Sequence, residues 1–399
     1  MKILQAANSF KHGWSSGGVA RVAYDMSLAL TLKGHDVSVF TTDKGLNEHI
    51  NFKKNQLIKL DGMNVYYFHN LSDGLAKRGI SIPYYSFFIS REKIKEFDVI
   101  HIHEHNRIMN IFLYYYAKKY SIPYVLQSHG SLPIEGNTLK KGLKFIFFTI
   151  FSHRLLRDAS KVIALSQMEA RQYRSMGVLD EKIVVIPNGI DLSEYAVLPP
   201  KGLFKRKFGI KEEEKIVLYL GRIHKGKGID FLINSFFYLL KNDTKNVKLV
   251  IAGPDDGYLS QVRCLVNSLG LDEKVLFTGM LSENDKISAY FDSYITVNVE
   301  PINVYGLVPL ESVACSTPVI VSKNNAISEI VNLGKFGFSI NYGNISDLSN
   351  IINKLISDDA LREEMGQNGR EFVFTNFSWN SIITKLEKIY MEVAESKLI

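Results

Sequence analysis

KIVLYLGRIHKGKG, residues 215–228, is a short apolar run ending on a glycine, followed by a basic loop that leads into helical spacing. A run this short, with no polar alternation, suits a strand buried on both faces of a parallel sheet. The same unit repeats outward in both directions. VKLVIAGP (247–254), KVLFTG (274–279), YITVNVE (294–300), TPVIVS (317–322) and FGFSI (336–340) follow it. KILQAA (2–7), DVSVFTT (36–42), NVYYF (64–68), DVIHIH (98–103), YVLQSHG (124–130), KVIALS (161–166) and IVVIPNG (183–189) precede it. Helix-like spacing fills the intervals, which specifies an α/β protein with crossover helices. The alternation breaks at IDLSEYAVLPPKG (190–202), where two adjacent prolines and a glycine mark a connection. Two α/β domains of similar size are expected, 1–190 and 200–378, with a linker over 190–200. FSWNSIITKLEKIYMEV (377–393) is helical in pattern.

Composition narrows the function classes. With 399 residues, 46% hydrophobic and 22% charged, the chain can bury sizeable cores and is not intrinsically disordered. Two cysteines, Cys264 and Cys315, make neither a disulfide framework nor a four-sulfur zinc site, so a reducing cytoplasm is expected. Lys11 and His12 interrupt the first residues, which therefore do not read as a signal peptide. No apolar run approaches the ~20 residues that span a bilayer. Residues 1–200 hold 25 Lys and Arg against 17 Asp and Glu, net +8, leaving 23 against 24, net −1, for the remainder. A uniformly basic nucleic-acid binder would not divide its charge this way. The first half is expected either to meet an anionic partner or surface, or to carry a solvated basic face.

Three loops carry candidate chemistry. Gly17 and Gly18 follow the first strand and open a helix, where backbone amides can face an anion. The G-x-G-x-x-G dinucleotide fingerprint is absent. Arg222 and Lys227 lie between a strand and a helix, and two cations there repel unless something negative sits between them. A diphosphate satisfies both, the arginine as a planar fork and the lysine as a point charge. In NVYGLVPLE (303–311), Gly306, Leu307 and Val308 precede Pro309, a residue suited to a first helical turn, and Glu311 can accept bonds from ribose hydroxyls.

In order along the chain, GGVARV (17–22), SHG (128–130), VIALS (162–166), IPNGID (186–191), GR and KG within 221–228, AGP (252–254), LFTG (276–279) and YGLVPLE with TPVIVS (305–322) resemble one family. These are the retaining glycosyltransferases of the two-Rossmann (GT-B) architecture, group 1, also called family 4. The resemblance implies two Rossmann-like domains facing across a cleft, with a C-terminal helix, 380–399, crossing back to the first. It implies a nucleotide-diphosphate sugar on the second domain and the acceptor on the first. Arg222 and Lys227 then neutralise the diphosphate, Gly18 meets it from the first domain, and Leu307 and Val308 offer backbone contacts. Glu311 holds the ribose, and His129 reaches the transferred sugar. The activity implied is retaining transfer of a hexose to a hydroxyl of a surface glycan or lipid-linked acceptor.

Two positions depart from the family pattern. Its paired acids lie eight residues apart, and the first is Asn303 here; Glu300, three residues upstream, substitutes only if the loop is shifted. The usual glycine before Thr317 is Ser316. No Asp-x-Asp occurs, so neither a metal nor a cofactor beyond the donor is expected. Cationic side chains and helix dipoles would stabilise the leaving group instead. A non-catalytic nucleotide-sugar-binding subunit and a sugar-nucleotide epimerase of the same architecture are the alternatives.

Two further stretches stand out. His101, His103 and His105 alternate, so all point to one side if the strand continues. That reads as a metal site or as a strand end lining the site beside His129. LKKGLKFIFFTIFSHRLLRDASK (139–161) sets aromatic residues at helical spacing among cations, and YYSFFIS (84–90) and IFLYYYAKKY (111–120) add aromatics. These suit either ordinary core helices or peripheral contact with the anionic inner face of a membrane.

Overall fold

The computed structural model describes residues 1–13, 18–46, 54–77, 80–130, 132, 151–241, 246–301 and 306–395. The chain forms two compact units, Met1–Gly189 with Trp379–Ile399, and Ile190–Ser378.

The first unit holds an eight-stranded sheet in the order β3-β4-β2-β1-β5-β6-β7-β8. Its strands are β1 (Lys2–Ala6), β2 (Asp36–Thr42), β3 (Leu57–Leu60), β4 (Met63–Phe68), β5 (Val99–His103), β6 (Tyr124–Gln127), β7 (Lys161–Ala164) and β8 (Ile183–Val185). All pairs are parallel except β3 with β4. The sequence gives no sign of β3 as an apolar run, because LIKL is half-exposed on an edge. It does carry the turn: Asp61 and Gly62 both adopt positive φ, 49° and 82°, which is the two-residue hairpin connection that Asp-Gly favours. Helices α1 (Gly18–Leu32), α2 (Ser86–Lys93), α3 (Ile108–Lys119) and α4 (Gln167–Ser175) belong to this unit.

The second unit is an all-parallel sheet in the order β11-β10-β9-β12-β13-β14. Its strands are β9 (Lys215–Leu220), β10 (Val247–Ala252), β11 (Val275–Gly279), β12 (Ser293–Asn298), β13 (Val319–Ser322) and β14 (Gly337–Ile340). Alternation along each strand feeds two cores. Val217, Leu249, Ile251, Ile295 and Val297 pack with Leu232 and Phe236 of α5 (Ile229–Lys241) on one face. Ile216, Leu218, Val250, Val319 and Val321 pack on the other with Tyr290 of α6 (Glu283–Asp292) and Leu310 of α7 (Val308–Ala314). Each such fully buried aliphatic side chain contributes about 1.5–3 kcal/mol, which explains why these strands read as continuous apolar runs.

Residues 190–200 pack onto the second unit: Ile190, Leu192 and Tyr195 join its core, and Ile190 N donates to Phe377 O at 2.9 Å. Helix α8 (Trp379–Glu395) returns to the first unit, where Glu387 accepts from Lys33 Nζ at 2.7 Å and Glu392 pairs with Lys161 at 2.7 Å.

Candidate active site

In the second unit the chain runs from β9 toward one edge of the sheet and from β12 toward the other. Ligands of open parallel sheets gather at the carboxyl ends of the strands where the order reverses. The β9 loop is built around glycine at this point. A Cβ on Gly253 would lie 1.9 Å from Gly221 O, so the loops after β9 and β10 touch through bare backbone. Gly228, at φ 70°, presses on Val299, whose carbonyl oxygen would sit 2.4 Å from an added Cβ. The β9 and β12 loops are thereby locked together.

Both expected phosphate cations project from this loop, and each already has a carboxylate. Arg222, its side chain 61% exposed, places Nη1 2.6 Å from Asp256 Oδ2. Lys227 donates through Nζ to Glu300 Oε1 at 2.7 Å, and Glu300 is only 7% exposed. The negative charge that two neighbouring cations require is thus supplied from within the chain. No sequence motif marks Asp256, in PDDG (254–257), as a site residue, and from sequence Glu300 reads only as a stand-in for Asn303.

Glu311 sits in the first turn of α7. Its Oε2 accepts from Tyr290 Oη at 2.8 Å and its Oε1 from Lys286 Nζ at 3.4 Å. Burial first, and then Glu311, holds the Tyr290 hydroxyl well above its usual pKa. Burial lowers the Lys286 pKa, but Glu311 and Glu283 outweigh it and leave the ammonium raised. Gly306, Leu307 and Val308 are half-buried at the helix start, and Leu307 O accepts from Glu311 N at 2.9 Å. Asn303 and Gly17 lie outside the described residues. Gly18 is the first residue of α1, and a Cβ there would meet nothing within 4 Å.

The first unit gathers a buried imidazole stack. His101 and His103 lie on β5 with ring centroids 4.4 Å apart and planes within 3°. The expectation that His105 continues the row fails: β5 stops at His103 and Glu104 turns left-handed, φ 64°. Paired with Arg107, Glu104 sends the chain into α3. His129 takes the third place instead. Strand β6 ends at Gln127, short of the expected 130, and His129 occupies the following turn at φ 50° with its ring centroid 5.1 Å from His103.

His103 Nδ1 lies 2.8 Å from His129 Nε2, and His103 Nε2 lies 2.7 Å from Gln5 Oε1. Gln5 Nε2 donates to Tyr390 Oη at 3.3 Å, and that hydroxyl lies 2.5 Å from His101 Nδ1. With Gln5 Oε1 facing it, His103 carries its proton on Nε2 and accepts at Nδ1 from His129. Nδ1 of His129 then keeps its lone pair, without a partner among the described residues. Burial pushes His101 and His129 down to about 3 and lowers His103 strongly as well, so the stack is neutral. Gln5 and Tyr390, which set its polarity, come from β1 and α8 and carry no local motif. Among the described residues, no cluster of His, Cys, Asp or Glu has the arrangement of a metal site.

On the same unit, Tyr84, Tyr85, Phe88 and Tyr115 are exposed beside α2 and α3. A groove of about 490 Å³ between these helices is lined by Phe87, Arg91, Phe112, Tyr115, Tyr116 and Lys119. Of the stretch 139–161, residues 139–150 lie outside the described residues. No described helix is long and apolar enough to cross a membrane.

Comparison with known proteins fits this geometry. The model of the glycosyl transferases group 1 matches residues 201–372, and that of Glycosyltransferase Family 4 matches residues 16–194. An uncharacterised glycosyltransferase of Methanocaldococcus jannaschii is 27% identical over 94% of both chains. The alpha-monoglucosyldiacylglycerol synthase of Streptococcus pneumoniae is 27% identical over 87% of this chain and 77% of its own. Among solved structures, HepE of Anabaena in complex with UDP superposes with a TM-score of 0.79 at 20% identity, over 98% of this chain and 100% of HepE. With two parallel-sheet Rossmann-like domains and a returning C-terminal helix, the chain belongs to the group 1 glycosyltransferases and has their GT-B architecture.

Proposed function

We propose that this protein is a retaining, metal-independent transferase that moves a hexose from a nucleotide-diphosphate sugar to a hydroxyl of a surface-glycan or lipid-linked acceptor. The observation that carries this is the placement of Arg222 and Lys227 at the reversal point of the second sheet, each held by a carboxylate. Asp256 and Glu300 keep the two cations in place, and a diphosphate is a stronger partner for both. HepE has been solved with UDP and with UDP-glucose, which supports a nucleotide sugar as donor.

The donor's diphosphate lies against Arg222 and Lys227, with the backbone of Gly306, Leu307 and Val308 as further contacts. Glu311 takes the ribose hydroxyls, and Asn303 brings an uncharged amide to the position where the family pattern has an acid. No Asp-x-Asp is present, so the cations supply the electrostatic stabilisation of the leaving group. The acceptor oxygen attacks the anomeric carbon on the face from which the diphosphate departs. The carbon–oxygen bond to phosphate breaks, and the acceptor's proton passes to the departing phosphate oxygen. His129, neutral and with Nδ1 as an acceptor, holds a hydroxyl and not a carboxylate.

The aromatic groove between α2 and α3, flanked by Arg91 and Lys119, supports a lipid-linked acceptor met at the anionic inner face of a membrane. The S. pneumoniae relative is named for a lipid product. The test is incubation of purified protein with nucleotide-diphosphate hexoses and EDTA, following nucleoside diphosphate release and the anomeric configuration of the product. Release with EDTA present and retained configuration is expected. Inversion, or turnover only with a divalent metal, contradicts the mechanism. Binding without turnover for any acceptor identifies a non-catalytic subunit.

A further inference from the structure

Helix α4 begins at Ser166, whose Oγ accepts the Glu169 N–H at 3.2 Å. In the reciprocal form of this cap, the glutamate returns to the capping residue's own N–H. Here the carboxylate, fully buried, goes elsewhere. Oε2 accepts from Leu165 N at 2.7 Å, and Oε1 accepts from Gly130 N at 2.7 Å. One side chain thus ties the end of β7 to the turn after β6. One helical turn further on, Tyr173 Oη accepts from Ser128 N at 3.0 Å and donates to Ile163 O at 3.2 Å. The residues on either side of His129 are therefore both held from α4.

We propose that Glu169 is a positioning residue for His129: by accepting the Gly130 and Leu165 N–H groups together, its carboxylate fixes the left-handed turn that sets the His129 ring against His103. This rests on the place of His129 in the transferase site. Only the ionised carboxylate can accept both bonds; once protonated, one oxygen becomes a donor facing an N–H. Burial raises the Glu169 carboxyl to about 7, against the opposing pull of the two N–H groups. Among the described residues, Tyr173 on α4 feels the Glu169 charge, His129 lies in the turn that Glu169 holds, and the α4 cations Arg171 and Arg174 are exposed. Burial keeps Tyr173 and His129 uncharged near neutral pH, so neither compensates the carboxylate. The turn is therefore set firmly above about pH 7 and loosened below it.

The test follows two readouts in the full chain for wild type, Glu169→Gln and Glu169→Asp. One is hydrogen exchange at the Gly130 and Leu165 amides, relative to the intrinsic rate at each pH. The other is the pH profile of kcat and of KM for the donor. In wild type, one of the two amides should lose protection as pH falls through about 7. Glu169→Gln keeps one acceptor and cannot titrate. It should leave one amide unprotected at every pH, lower kcat by ~10-fold or more with donor KM unchanged, and remove the acid limb near 7. Glu169→Asp should restore part of the kcat and an acid limb. Retained protection of both amides in Glu169→Gln, or an unchanged pH profile, overturns the proposal. The wild-type pH series decides it even if a variant fails to fold. Should no donor support transfer, the transferase assignment fails while the amide readout still judges Glu169.

Discussion

Lys227 and Glu300 show what a single residue pair does to the proposed donor site. A lysine paired at 2.7 Å with a 7% exposed glutamate is oriented but partly neutralised, so an incoming diphosphate competes with the carboxylate. Glu300→Gln should therefore tighten nucleoside diphosphate binding several-fold, read by calorimetric titration; weaker binding would mean that Glu300 serves only to orient Lys227. Lys227→Ala removes a charge-assisted bond and should weaken binding by about 1.5–3 kcal/mol, roughly 10- to 100-fold. Glu169 makes an opposite kind of prediction. Its folded pKa is raised, from 4.5 to about 7: protonation relieves the buried charge even as it releases one N–H of the turn, so the net contribution to global stability is fully present below the unfolded value and lost as pH rises through 7. The melting temperature of Glu169→Gln relative to wild type should climb between pH 5 and pH 8, and a flat difference would contradict this.

Helix α7 shows which features the sequence could reveal at the scale of an element and which it could not. Pro309 and Glu311 are legible as a helix start, and the structure confirms a helix there. Ser316 replaces the glycine usual in the family pattern before Thr317. It falls at φ 60°, with Ser316 N bonded to Val313 O at 2.9 Å and Thr317 N to Ser312 O at 3.1 Å. This is the left-handed C-terminal cap that glycine fills without strain. Ser316→Gly should raise stability by about 1 kcal/mol in denaturant titration, and a loss would contradict that account. The core strands were legible because burial on both faces leaves uninterrupted apolar runs. Edge strand β3 was not, and neither was the end of β5, which depends on the left-handed Glu104 and its Arg107 partner. The α2–α3 face is testable on its own. Phe88→Asp with Tyr115→Asp should abolish co-sedimentation with anionic vesicles while leaving nucleoside diphosphate affinity unchanged. Undiminished sedimentation would remove this face from the account.

The whole molecule is two units whose sequences interleave once. The chain passes from the first to the second at Gly189–Ile190 and returns at Ser378–Trp379. The buried face of α8, with Ile382, Ile383, Leu386, Tyr390 and Val393, completes the first unit. At about 1.5–3 kcal/mol for each buried side chain, that face matches a typical domain's net stability of about 5–15 kcal/mol. Deleting residues from 379 onward should therefore unfold the first unit while the second keeps a cooperative calorimetric transition. The resemblance in the sequence extends to this helix and its return to the first domain, but not to its contact with the imidazole stack. Tyr390 orders the imidazole stack from 289 residues away in sequence, a relation that no local pattern carries. The candidate site residues split the same way: Arg222, Lys227, Glu311 and His129 stand in recognisable motifs, whereas Asp256, Glu300, Gln5 and Glu169 are defined only by what folding brings beside them. In the function proposed above, the second unit's cations bind a diphosphate without metal. Thermal unfolding with a panel of nucleoside diphosphates, in EDTA, for wild type and Arg222→Ala tests it most directly. At ~100 times its Kd, the cognate nucleotide should stabilise wild type by ~2.7 kcal/mol, with a much smaller shift in Arg222→Ala. No shift with any nucleotide, or an equal shift in the variant, would contradict it.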